Sequence, residues 1–311
     1  MINKRSILTI IGLLAALLAF SACIGTDVSL EVATTDTVTY DREGYPIALP
    51  NEINTIISIG PSNTEILVEL GFGDQIVATD IWSDVAGVAP DINVLDMFAL
   101  DAEFILDTAP DIIFIAGMTR VQGDDHPLRA ASDAGIAVIY IPPAISIAEI
   151  KEDIRFIASV MGVETAGLSI VAAMEAEIEA IADIAETIAA PRTVYFEISP
   201  APHMWAVGGG NFQHEMLELA GAINIFADED AWIGVSDEMF LMYNPDVILT
   251  STNFIDDPIG EIMGRPGWDA ITAVQNGDVF LVDTDITSRQ SHNIVHGLWD
   301  IARAIYPEYF E

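Results

Sequence analysis

The chain has 311 residues, 11 basic and 48 acidic, for a net charge of −37 with histidine neutral. A surface that negative repels nucleic acid and anionic lipid head groups, so a nucleic-acid partner is excluded and any protein partner should present basic groups. The length fits two domains of ordinary size, and an apolar content of 51% can fill a core in each.

The first element is a targeting segment. Lys4 and Arg5 precede an apolar run over residues 7–20, followed by Ser21-Ala22-Cys23. A charged start, an apolar stretch and small residues before a cleavage point predict a secretory signal over residues 1–22. The run is shorter than the ~18–20 residues of a spanning helix. Cys23 is the single cysteine, so no disulfide can close within one chain. "FSAC" resembles a bacterial lipobox, which implies lipidation of Cys23 and an extracytoplasmic, membrane-anchored location; Phe20 stands where a leucine-like residue is usual. Residues 23–45, with much Thr, Asp and Val and little apolar periodicity, are expected to be a tether.

The next apolar run, Ile56–Ile59, has the length and flanks of a buried strand and is broken by Gly60-Pro61. Ser62 and Glu65 have capping-box spacing, Ile66, Leu67 and Leu70 share a helical face, and Gly71 falls where a helix-ending glycine belongs. Strand, tight turn and helix make half of a βα unit, with free helix N–H groups at the carboxyl end of the strand, where open α/β sheets bind ligands. The chain then repeats itself. "TEILVELGFGDQIVA" (64–78) has a counterpart in "HEMLELAGAINIFA" (214–227), and "EFILDTAPDII" (103–113) in "EMFLMYNPDVI" (238–248). In the second pair a glutamate precedes Pro-Asp by the same interval. Matched elements in one order predict two α/β lobes, over residues 46–145 and 191–311.

Between the lobes, residues 146–190 are expected to be a helical connector. Its main part, residues 164–190, has no proline and carries Ile170, Met174, Ile178, Ile181, Ile184 and Ile188 at intervals of three and four. This predicts one helix of about 40 Å, stopped by Pro191, with a cleft left between the lobes. Asn211, after Gly208-Gly209-Gly210, should cap the helix that follows and place the 208–211 turn on the second wall of that cleft, as residues 60–63 line the first.

With these elements in place, the chain resembles the helical-backbone class of substrate-binding proteins of ABC importers, the group that captures ferric siderophores, haem and cobalamin. "ISIGPSNTEILVELG", "LDTAPDIIF", "GGGNFQHEMLELAGAINIFAD", "WIGVSDEMFLMYNPDVIL" and "AVQNGDVFLV" carry the resemblance, which covers nearly all of the chain after the signal. It implies two Rossmann-like α/β lobes joined by one long helix, a monomer, no catalytic residue, no cofactor of its own, and a bound ligand that itself contains iron or cobalt. It also implies partners: a permease and its ATPase. One glutamate on each lobe would dock on the permease, and Glu103 and Glu238 align with those positions. Asp101 and Ser236 are their expected N-caps, so that helix-dipole stabilisation alone would also account for an acid there.

Loops at the strand ends supply the candidate ligand contacts. The first lobe offers Ser62, Asn63, Trp82, Met118 and Arg120, and the second His203, Trp205, Trp232, Arg289 and His292. Aromatic and thioether side chains give contact area to a bulky ligand, and arginines would meet its oxygens. The family pattern near His292 usually has Pro-Gly-Pro-Arg after an arginine; "SRQSHN" departs from it. No metal ligation by the protein is expected, a histidine in a polar loop being more often a hydrogen-bonding residue. The competing readings are a secreted hydrolase on the same scaffold and a binder of bare metal ions. Against the first stand the lack of a Gly-x-Ser-x-Gly elbow and of a free cysteine nucleophile.

Overall fold

The alternation of side chains in two sets of central strands decides how this protein packs. The computed structural model describes residues 40–117 and 127–310; Cys23, Met118 and Arg120 lie outside them. Five strands, β1 (Ile56–Ile59), β2 (Ile76–Asp80), β3 (Asn93–Leu95), β4 (Ile112–Ala116) and β5 (Ala137–Ile141), form a parallel sheet in the order β3-β2-β1-β4-β5. Its helices are α1 (Pro61–Glu69), α2 (Ala102–Thr108) and α3 (Pro127–Asp133). The second sheet has the order β11-β10-β6-β7-β9, with β8 beside β6. It is built from β6 (Thr193–Ser199), β7 (Trp205–Val207), β8 (Ile223–Asn224), β9 (Trp232–Gly234), β10 (Val247–Thr250) and β11 (Val279–Leu281). Around it lie α6 (Phe212–Leu219), α7 (Asp237–Tyr243), α8 (Pro258–Met263), α9 (Thr272–Asn276), α10 (Thr284–Ser288) and α11 (Ile294–Ile305). Two helices, α4 (Ile147–Val160) and α5 (Glu164–Ala185), connect the lobes.

Residues two apart on a strand share a face. Ile56, Ile112 and Phe114 of the first sheet, and Val194, Phe196, Val247 and Leu249 of the second, belong to one continuous apolar cluster. That cluster is completed by α4, α5, α6 and α11 through Ile154, Val171, Met174, Ile181, Met216 and Leu298. The alternate residues, Ile57, Ile113 and Ile115 in one sheet and Tyr195 and Ile248 in the other, fill separate clusters on the outer faces. Each such fully buried side chain contributes about 1.5–3 kcal/mol.

The expected helical connector is the two helices α4 and α5, packed together. The long helix lies in a shared helical layer, with Gly167 set against Ala158 of α4 where a larger side chain would clash. It is also shorter than expected, 22 residues or about 33 Å, and ends at Ala185 and not at residue 190. Pro191 disfavours helical geometry in the residue before it, and the amides of Glu186, Thr187 and Ile188 still reach the carbonyls of Ala182, Ile184 and Ala185 in closing turns. Val171, Met174 and Ile181 are buried; Ile170, Ile178, Ile184 and Ile188 are half-buried against the same cluster. The folded body also starts before residue 46. Asp41 accepts the amides of Glu43 and Tyr45 at 2.9 and 2.8 Å in a turn, and Arg42 reaches Asp153 of α4 at 2.7 Å, so the chain is already tied to the body there, with Tyr40 and Tyr45 exposed.

The internal repeat is real down to single bonds. Asp111 accepts Thr55 N–H and Oγ–H at 2.9 and 3.0 Å, while its own amide donates to Thr55 Oγ1 at 3.1 Å. Asp246 does the same with Thr193, at 2.9, 2.8 and 3.0 Å. Each Pro-Asp motif thus ties the start of a central strand to the strand beside it. The preceding helices match as well: both end on a left-handed residue, Ala109 (φ 44) and Asn244 (φ 45).

Candidate functional site: a cavity between the lobes

The β1–α1 junction is tight for reasons of geometry. Gly60 has φ 106, and a β-carbon there would sit 3.0 Å from that of Ala116, so only glycine fits. Its amide donates to buried Asp80 at 2.6 Å, and the same carboxylate accepts Trp82 N–H at 2.8 Å and Ser83 Oγ–H at 2.6 Å. Pro61 opens α1, where its missing N–H costs nothing.

The expected capping box does not form. Gly60 is the N-cap and Ser62 is already helical, which frees the side chains of Ser62 and Glu65 for the other lobe. Ser62 Oγ accepts the Gln290 amide at 2.9 Å. Glu65, nearly buried, takes Arg289 Nη1 at 2.8 Å on one oxygen and, on the other, Asn293 Nδ2 at 3.0 Å and the Ser291 hydroxyl. Arg289 also holds Asp285 at 2.9 Å and the Trp82 carbonyl at 3.1 Å. From the second lobe, Glu215, the repeat partner of Glu65, reaches back to accept the Ile147 amide at the start of α4 at 2.8 Å. Of the carboxylates on the two matched helices, Glu65 therefore binds the opposite lobe and Glu215 the start of the connecting helix α4.

Above this clasp lies an open cavity of about 410 Å³. Its first wall is formed where β1, β2, β3, β4 and β5 end, by Gly60, Trp82, Phe98, Ala116 and Ile141, and its second by Thr284, Asp285, Ser288, Arg289 and Gln290. This is the carboxyl edge of a parallel sheet, the ligand position of open α/β folds. The lining is mostly apolar; Trp82 is 57% and Phe98 75% exposed, large for side chains of that kind. Burial raises Asp153, at the cavity edge, to about 6 against the opposing pull of Arg42.

Of the expected contacts, the cavity brings together Ser62, Asn63, Trp82 and Arg289. Asn63 is buried, and its amide donates to Ile59 O at 3.0 Å. Trp232 is held by Gln213, which accepts its indole N–H at 2.7 Å and donates to Thr287 O at 3.1 Å. His203 and Trp205 are exposed on the second lobe and, with Trp232, stand outside the lining. His292 lies in another groove, between α5 and α11, with Nε2 3.6 Å from Glu69 and Nδ1 buried without a hydrogen-bond partner. Burial lowers its pKa. His296, four residues later, lines the same groove. Among the described residues, no group of three or more His, Cys, Asp or Glu is arranged to hold a metal ion.

The 208–211 turn does not line the cavity either. β7 runs antiparallel to β6, carrying that turn back toward the start of β6, where Asn224 donates to Val207 O and Gly208 O at 3.1 Å. Asn211 does cap α6, accepting the His214 amide at 2.9 Å. Sequence reasoning passed over Glu65, Met97, Phe98, Pro142, Pro143, Asp153 and Asp285. The position of Glu65 in the repeat was the one signal available.

Glu103 and Glu238 are exposed at the second position of α2 and α7, capped by Asp101 and Ser236. A leucine follows each by three residues, Leu106 at 39% and Leu241 at 40% exposure.

Two α/β lobes with a shared helical layer, and an apolar cavity lined from both of them, define a binding protein. The chain belongs to the periplasmic binding protein family, which it matches over residues 56–286. Within that family it is an ABC-importer substrate-binding protein, a carrier and not an enzyme. It is 28% identical over 273 residues to the uncharacterised ABC transporter substrate-binding lipoprotein YvrC of Bacillus subtilis, covering 87% of this chain and 86% of that one. It is 27% identical over 247 residues to a vitamin B12-binding protein of Vibrio cholerae, covering 78% and 86%. The crystal structure of a possible iron-binding (periplasmic solute-binding) protein from Staphylococcus epidermidis superposes with TM-score 0.73 at 30% identity, over 82% of this chain and 100% of that one. Among the described residues no helix is long and apolar enough to cross a membrane.

Proposed function

We propose that this protein is the extracytoplasmic, lipid-anchored receptor of an ABC importer, that it takes a ferric siderophore, haem or corrinoid into the interlobe cavity, and that it delivers the ligand through Glu103 and Glu238. The observation that carries the reading is the cavity itself, at the carboxyl edge of the first sheet and closed by the α10 region of the second. Relatives that bind vitamin B12 and a structural neighbour described as iron-binding support this ligand class. The two glutamates support docking because both are exposed, both sit at a helix start, and each occupies the same place in its lobe. Carboxylate pairing with arginine suits a reversible contact. Lipidation of Cys23 would supply the anchor, and the chain would act as a monomer with a permease and its ATPase.

Tryptophan-fluorescence titration with ferric siderophores, haem and cobalamins tests the ligand. Transport into vesicles bearing the permease and ATPase tests delivery. Binding of one chelate with transport that requires Glu103 and Glu238 is the expected result; loss of ligand affinity in the Glu103→Ala/Glu238→Ala protein would remove those residues from the docking role.

A further inference from the structure

The charges around the cavity narrow its ligand. Arg289 is the one described cation in the lining, and Glu65, Asp285 and the Trp82 carbonyl already occupy its guanidinium. Arg42, the cation bound to the lining residue Asp153, is likewise held by Asp153 at 2.7 Å and Glu152 at 3.1 Å. Around the described cavity, then, two guanidinium groups face four carboxylates, on a chain whose net charge is −37. Elsewhere the lining is Trp82, Met97, Phe98, Ile141, Pro142 and Pro143, which offer surface but no charge.

An anion entering this space loses its water, meets no unengaged cation among the described residues, and approaches Asp153 and Asp285. Burial raises both of those carboxyls above their ordinary values, against the pull of Arg42 on one and Arg289 on the other. Amide N–H groups on a ligand would instead find acceptors there. Resting on the binding-protein reading above, we infer that the cavity selects a metal chelate of zero or positive net charge with hydrogen-bond donors at its rim, and discriminates against polyanionic chelates.

Two chelate chemistries meet this description, an amide-fringed corrinoid and a ferric trihydroxamate, and titration tells them apart. The purified protein is titrated with cyanocobalamin, diaquocobinamide, ferrioxamine B, haemin and a ferric tris-catecholate, by fluorescence quenching and calorimetry. Like-charge contact costs several kcal/mol, so at least one of the first three should bind about 100-fold more tightly than either of the last two. Whichever wins names the chelate. Haemin or the tris-catecholate as the tightest ligand would overturn the inference and leave the binding-protein reading intact, and loss of that binding in Arg120→Gln would locate the missing cation. Failure of all five to bind would remove the chelate reading itself. A second arm uses Asp285→Asn, at an exposed position on α10. It removes a negative charge from the lining and releases one partner of Arg289, so haemin should tighten by about 5-fold or more, while the amide-bearing chelates, which lose an acceptor, should not tighten. No change for haemin counts against the inference.

Discussion

The two lobes are alike where they face outward and different where they face each other. The Thr55–Asp111 and Thr193–Asp246 ties match bond for bond, and α2 and α7 share length, cap type and left-handed ending. At the boundary the symmetry stops. In the first lobe β1 runs directly into α1 through Gly60; in the second the antiparallel β7 intervenes between β6 and α6. That insertion removes the second glycine turn from the cavity and leaves its second wall to α10 and the residues after it. Under the proposed function the common parts are those a partner would read, and the divergent part is the one that lines the cavity.

The sharpest way to break this comparison is at the clasp. Glu65→Ala leaves the largely buried Arg289 without its main partner and also removes acceptors from Ser291 and Asn293. Removing one member of a buried pair costs about 3–5 kcal/mol. Glu215→Ala, its counterpart, loses one hydrogen bond to a backbone amide, a cost of about 1 kcal/mol. Urea unfolding of the two variants should differ by that margin; equal losses would mean that the lobes contribute alike across the boundary.

Asp153 gives a pH test of the same region. Its folded pKa of about 6 lies above the ordinary carboxylate value because of burial, with Arg42 pulling the other way. Between pH 4 and pH 6 the folded state therefore holds a proton that the unfolded chain has released, and stability falls as pH rises across that window, by up to about 3 kcal/mol. Asp153→Asn should flatten this part of the stability profile. An unchanged slope would show that the carboxyl titrates normally.

The outer ties provide the matched control. Asp246→Ala leaves a backbone amide and a threonine hydroxyl without an acceptor, Asp111→Ala leaves the Asn54 amide as well, and each should cost about 1–3 kcal/mol. Similar values would confirm that the two motifs are mechanically equivalent; a large difference would confine the equivalence to geometry.

Much of this was legible in the sequence because it is local. The caps Asp101, Asn211 and Ser236, the glycine after α1, the Pro-Asp repeat and the start of the long helix are fixed by residues a few positions apart, and these stand where the pattern puts them. The pairing of Glu65 with Arg289 joins residues 224 positions apart, and in sequence Glu65 has the spacing of a capping box, so a local rule gave a local answer. Phe98, Pro142 and Pro143 could not be told from core residues, since apolar character is the same whether a side chain faces a sheet or a cavity. The second glycine turn misled for a related reason. It reads like the first in sequence, and only the antiparallel pairing of β7 reveals that it lies elsewhere.

The gentlest intervention addresses the outward symmetry itself. Glu103 and Glu238 are exposed and, as helix-start acids, should contribute only about 0.3–1 kcal/mol each to stability. Each single alanine variant should therefore fold and bind ligand as the parent does. If the partner reads the two lobes equivalently, the single variants should lose transport to the same degree, and the double variant should lose it altogether. Leu106→Ser and Leu241→Ser, on the same helices, probe whether the contact also has an apolar part. A variant in one lobe that abolishes transport while its counterpart is silent would show that the matched helices serve different partners, and that the symmetry is inherited and not used.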